Sequence, residues 1–221
     1  MRGDDSHPAA VKVAVRCRPS LPIRDSVRRG SQRPEGSLLV VDSESATVSI
    51  KTDAAAALPR SFAFDHVFGA RASQEEVYRV AARSAVLSVT NGFNSTVFAY
   101  GQTGSGKCLP LNATRCFALT TLGSGMTCNM GVLAMVGKTH TMQGHGGGSD
   151  RGVIPRAVAD IFAAIQNGCG HRTSKFLVRA SFLQIYNEEI SDLIKAERSG
   201  LQLREDGQHG VYVDGLSEVI A

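Results

Sequence analysis

The feature that most constrains this chain is a glycine loop fed by a β-prone run. Thr96 to Tyr100 is short, apolar and of the kind a fully buried strand uses, and it ends at Gly101 in G-Q-T-G-S-G-K. Gly101, Gln102, Thr103, Gly104, Ser105, Gly106 and Lys107 fit the spacing of a phosphate-binding loop. Such loops work because glycines let successive backbone N–H groups point inward at phosphate oxygens, while the lysine reaches the terminal phosphates and a following hydroxyl holds Mg2+. A flexible glycine connection is the plainer reading, and the strand immediately before the loop argues against it.

The rest of the chain interleaves strands and helices around that loop. Val11 to Arg18 alternates in polarity and reads as a strand stopped by Pro19, and Arg24 to Ser37 is loop-like. Leu38 to Val41, Thr47 to Ile50 and Phe62 to Phe68 read as short strands. Ser73 with Glu76 forms a capping box, and Val77, Val80, Ala81 and Ala85 follow at helical spacing to about Val89. Pro155 suits a first helical turn, with Ile154, Val158, Ile161, Phe162 and Ile165 as one stripe ending at Gly168. Phe176 to Tyr186 reads as a long strand, Glu188 to Ile194 as a short helix, and Leu201 to Arg204 and Val211 to Val213 as short strands. The class is α/β, and residues 1–10 are expected to be a disordered N-terminus.

Composition narrows the partners. A formal charge of +4 over 221 residues is too small to argue for nucleic acid. No charge-free run makes a convincing membrane span, the uncharged stretch Cys116 to Gly137 being interrupted by Ser, Thr, Asn and Gly. Five cysteines, at 17, 108, 116, 128 and 169, form an odd set without a C-x-x-C pair, so a reducing cytoplasmic setting is expected rather than a disulfide framework or zinc site.

F-A-Y-G-Q-T-G-S-G-K (Phe98 to Lys107) resembles the nucleotide loop of the kinesin motor domain. V-K-V-A-V-R-C-R-P (Val11 to Pro19), F-A-F-D-H-V-F (Phe62 to Phe68), S-Q-E-E-V-Y (Ser73 to Tyr78), K-T-H-T-M (Lys138 to Met142), G-V-I-P-R-A (Gly152 to Ala157), S-F-L-Q-I-Y-N-E-E-I-S-D-L (Ser181 to Leu193) and G-V-Y-V-D-G-L (Gly210 to Leu216) resemble kinesin segments in the same order. The resemblance implies a P-loop NTPase-like mixed central sheet flanked by helices, an ATPase that uses ATP and Mg2+, and microtubules as the track and cytoskeletal partner. It also implies that Arg16, Arg18 and Pro19 border the adenine, that Tyr78 and His140 flank it, and that Thr139 holds Mg2+. On residue type alone, a tyrosine at helical spacing is core and an arginine at a strand end is solvated.

Two departures qualify that expectation. Between Lys107 and Thr139 the interval Cys108 to Val136 intervenes before a second Gly137-Lys138, and excising Lys107 to Gly137 restores G-Q-T-G-S-G-K-T-H-T-M. The interval holds no acidic residue, one arginine, and three of the five cysteines. It reads as a foreign insertion, either a retained intron or a genuine family-specific insertion, and its glycines and broken periodicity predict an exposed excursion of low order outside the core. It leaves Lys107 followed by Cys108, a poor Mg2+ ligand, or Lys138 and Thr139 cut from the glycines. The second departure is that the later kinesin motifs N-x-x-S-S-R-S-H and D-x-A-G-S-E occur nowhere in the 221 residues. The resemblance therefore implies the N-terminal part of a motor domain, with a gap in its sheet between the strand of Thr96 to Tyr100 and that of Phe176 to Tyr186. It implies a chain unable to hydrolyse ATP by itself, or alternatively a non-catalytic nucleotide- or tubulin-binding module.

Overall fold

The structure is a computed structural model describing residues 11–18, 39–51, 59–101, 116–121, 126–132, 137–168, 176–207 and 210–220. It divides into two units, residues 1–73 and 74–221. The expected N-terminal disorder, Pro19, the loop over Arg24 to Ser37, and Gln102 to Lys107 with Cys108 lie outside the described residues.

The first unit holds β1 (Ala14–Arg16), β2 (Leu39–Asp42), β3 (Thr47–Ile50), β4 (Arg60–Ala63) and β5 (His66–Phe68). β1 pairs parallel with β5, Val15 opposite Val67. The Asp65 carboxylate accepts the Val13 N–H at 2.8 Å and the Phe68 carbonyl accepts the Cys17 N–H at 2.8 Å, so the pairing is pinned at both ends. β2, β3 and β4 form an antiparallel meander. Its first turn is set by Asp42, whose Oδ1 accepts the N–H groups of Glu44 and Ser45.

The second unit opens with α1 (Gln74–Val77), a π-helical turn at Tyr78–Ala82, α2 (Arg83–Ser88) and a 3-10 turn at Val89–Asn91. The helical reading of this segment holds and Val77 is buried, but beyond it the buried face is Tyr78, Ala82, Val86 and Val89 rather than Val80, Ala81 and Ala85. The π turn is the reason: one extra residue in a turn rotates everything after it relative to a regular 3.6-residue pattern. Then come β6 (Ser95–Ala99), β7 (Cys116–Thr121), β8 (Met126–Val132), α3 (Gly137–Met142) and α4 (Val153–Gly168). β9 (Val178–Tyr186), β10 (Glu189–Asp192), β11 (Leu203–Asp206), β12 (Gly210–Val213) and β13 (Val219–Ile220) complete the unit.

α4 presents Val153, Ala157 and Ile161 fully to the core, spaced by four, with Ile154, Val158, Phe162 and Ile165 partly buried beside them. They pack with Tyr78, Ala82, Val86, Val89, Met142 and Val178.

The central sheet runs β10-β9-β7-β8-β6, with β13 sharing the β10 edge of β9. β8 lies parallel to β6, Val97 opposite Met130, and β7 lies antiparallel to both β8 and β9. This corrects the expected excursion. The interval supplies two strands that fill the space between β6 and β9, so no gap stands in the sheet there. Two uncharged runs, C-F-A-L-T-T and M-T-C-N-M-G-V, meet strand edges whose N–H and C=O groups need partners. The reading of β6 as fully buried is also corrected. Val97 and Ala99 pack toward the core, while Phe98 is 65% and Tyr100 80% exposed, because helices cover one face only among the described residues. Glu188 to Ile194 is not a helix. Asn187 (φ 50°) and Glu188 (φ 64°) form a two-residue turn with both centres left-handed, and β10 folds back on β9.

Candidate functional site

β6 delivers the chain to Gly101, and α3 returns it. Lys138, in the first turn of α3, is only 6% exposed, and its Nζ donates a 2.5 Å hydrogen bond to the Gly101 carbonyl oxygen. Lys138 and Thr139 thus stand in the first turn of α3, while Lys107 and Cys108, on which the other arrangement of the interrupted loop depends, lie outside the described residues. A buried ammonium is costly unless partnered, and the Gly101 carbonyl is one partner of this one.

The Thr139 carbonyl accepts the N–H groups of Gln143 (2.8 Å) and Gly144 (3.2 Å), closing α3 into a tight exit. His140 is half-buried on the same helix, with its ring 5.1 Å from the ring of His145. Gly144 has φ +81°, and a side chain there would collide with the Asp150 carbonyl oxygen; Gly152 likewise abuts the Met142 carbonyl. The turn is therefore fixed by two backbone contacts that tolerate no Cβ. Sequence patterning missed Gln74, whose buried amide reaches the His140 carbonyl; its place in S-Q-E-E-V-Y was the available signal.

Tyr78 sits 5% exposed in the core, and its hydroxyl donates to Asp160 Oδ2 at 2.9 Å. Arg83 bonds the same oxygen at 2.8 Å. The structure thus brings Gly101, Lys138, Thr139, His140 and Tyr78 into one unit. Arg16 and Arg18 belong to the other. Arg16 is half-buried, donates to the Ala72 carbonyl at 3.3 Å, and is lowered from its usual pKa by that burial; Arg18 is exposed. Among the described residues no group of three or more His, Cys, Asp or Glu is arranged to hold a metal, and no helix is long and apolar enough to cross a membrane.

A strand ending at Gly101 and a helix whose buried lysine bonds that glycine's carbonyl accord with a P-loop type of α/β domain. The kinesin motor domain family matches residues 16–136 and 133–221, two stretches that meet at the C-terminal border of the interval. The chain is 37% identical over 210 residues to kinesin-like protein klp-20 of Caenorhabditis elegans, covering 94% of this chain and 26% of that protein. It is 35% identical over 215 residues to KIF3C of Bos taurus, covering 96% and 22%. A solved structure described as that of a fast kinesin, with implications for ATPase mechanism and interactions with microtubules, superposes with a TM-score of 0.70 at 29% identity, covering 96% of this chain and 48% of that one. The chain belongs to the kinesin motor domain family, and it spans about a quarter of the length of the curated relatives it matches.

Proposed function

We propose that this chain is the nucleotide-binding front portion of a microtubule motor domain, taking ATP with Mg2+, and that these 221 residues bind nucleotide without turning it over. The observation that carries the reading is the Lys138 contact with Gly101, which brings a cation to the start of the glycine loop in a chain of this family. Lys138 and the N–H groups of the loop would hold the phosphates, and the Thr139 hydroxyl would hold Mg2+, a hard cation suited to a hard oxygen. Bound Mg2+ would neutralise phosphate charge. Arg16, Arg18, Pro19 and His140 would border the base, and Tyr78, anchored through Asp160, would act as wall.

The second reading is a non-catalytic nucleotide- or tubulin-binding module, and the state of two acidic residues bears on its tubulin arm. Asp214 pairs with Arg204 at 2.8 Å and Glu218 with Arg179 at 3.1 Å, so each carboxylate is offset by a partner instead of repelling acidic tubulin uncompensated. Calorimetry with MgATP and cosedimentation with microtubules separate the readings. Nucleotide binding with nucleotide-sensitive cosedimentation supports the motor portion; microtubule binding indifferent to nucleotide supports the module; no MgATP binding at all sinks the first reading.

A further inference from the structure

His140 is held from two sides. Its carbonyl oxygen accepts a 2.5 Å hydrogen bond from Gln74 Nε2, and its ring lies 5.1 Å from that of His145, tilted by 55°. That separation is within the range where aromatic rings attract. Gln74 is 5% exposed, and the same Nε2 donates at 3.3 Å to the Asp150 carbonyl. The Asp150 carbonyl in turn accepts the His145 N–H at 3.2 Å. One buried amide therefore ties together the backbone of His140 and the turn that presents His145. A primary amide has two N–H groups to satisfy when buried, and here both have carbonyls, so the clamp is a fixed one. Gly144, between the two histidines, brings the backbone so close to Asp150 that the neck of the turn has a single course.

We propose that Gln74 and His145 are positioning residues for the base end of the nucleotide site: Gln74 fixes the backbone of His140, and His145 fixes its imidazole so that a purine stacks on it. This rests on the nucleotide reading above and adds to it two residues that neither act on phosphate nor touch Mg2+. Stacking depends on the placement of a ring face, so a ring free to rotate binds a base less well at an unchanged phosphate affinity.

The test uses the whole 221-residue protein and two ligands, MgATP and magnesium tripolyphosphate, which carries the phosphates and no base. His145→Ala and Gln74→Met are each expected to weaken MgATP about threefold or more while leaving tripolyphosphate unchanged. His145→Phe, which keeps a ring, restores MgATP affinity. In a His140→Ala background neither substitution has a further effect, because both act through that ring. Equal loss for both ligands, or full additivity with His140→Ala, marks a merely structural role and overturns the proposal. Unchanged MgATP affinity in both variants overturns it while leaving the nucleotide site standing, whereas failure of the unsubstituted protein to bind MgATP removes both.

Discussion

The Lys138 ammonium bonds the carbonyl oxygen of Gly101, a residue 37 positions earlier, at 2.5 Å. The start of the glycine loop and the start of α3 therefore meet although a long interval separates them in sequence. The expected consequence is that Lys138→Met weakens tripolyphosphate binding at least tenfold, about 1.4 kcal/mol. Lys107→Met should leave it within about twofold, because the proposed reading gives Lys138 the phosphate-holding role. Calorimetry of the two variants decides; the reverse order would assign the phosphates to Lys107.

Deleting Lys107 to Gly137 would rejoin G-Q-T-G-S-G-K to T-H-T-M and also remove β7 and β8. β6 and β9 would then face each other without the strands that pair them. Exposed sheet edges recruit other chains. The shortened protein should melt well below the full one and aggregate on heating, and amides of β7 and β8 in the full protein should exchange as slowly as those of β6. A shortened chain of undiminished melting temperature, or fast exchange across β7 and β8, would restore the exposed-excursion view.

What was legible beforehand depended on whether the signal was local. The run Thr47 to Ile50 and the stripe through Ile161 carry their own periodicity, and β3 and α4 appear where it put them. The strand leading to Gly101 was legible from its short apolar, β-prone run. The interval was not, because β7 and β8 have weak patterns of their own and form against edges supplied by distant strands. The same holds for Asn187 and Glu188, where a charged E-E-I-S-D-L run looks helical until a two-residue turn reverses it. The phase of the helix after Tyr78 was hidden by its π turn, which no spacing rule anticipates.

Gly144→Ala should destabilise the second unit by about 2 kcal/mol or more. The position combines φ +81° with a backbone contact to Asp150 that leaves no room for a Cβ. Urea unfolding measures the loss. Gly146→Ala, also at positive φ but with nothing near its would-be Cβ, should cost less; equal effects would mean that backbone conformation alone, and not the contact with Asp150, sets the cost.

Asp192 gives the fold an acid-sensitive joint. It is 2% exposed, with Oδ1 accepting from Ile194 N–H (2.7 Å) and Lys195 N–H (3.1 Å) and Oδ2 from Ser217 N–H (2.8 Å). Burial pushes this carboxyl upward, but bonds from Ser217, Lys195 and Ile194 outweigh it and hold it at about 2, against an ordinary 3.8. A carboxylate depressed on folding contributes stability that is complete above its unfolded value and is lost as pH falls through its folded one. The stability advantage of the native protein over Asp192→Asn should therefore be constant at neutral pH and shrink between about pH 4 and pH 2. An advantage independent of pH over that window would show that the charge of Asp192 is not what ties β10 to Ser217.

These 221 residues should not hydrolyse ATP at a microtubule-stimulated rate. Phosphoryl transfer depends mostly on positioning and on stabilising charge, so a site that grips phosphates without orienting water binds and stalls. Three carboxylates that could be proposed to position water have other surroundings. Glu188 lies in the exposed turn after β9, Glu189 is exposed on β10, and both oxygens of Asp192 are already engaged by backbone N–H groups. Lys138 and Thr139 supply charge and a hydroxyl, not a base, and no N-x-x-S-S-R-S-H or D-x-A-G-S-E segment stands among the residues present. Phosphate release from the purified polypeptide should match the no-enzyme background with and without microtubules. A stimulated rate abolished by Lys138→Ala would mean that a complete catalytic site lies within these residues, and would identify the loop as its phosphate-holding part.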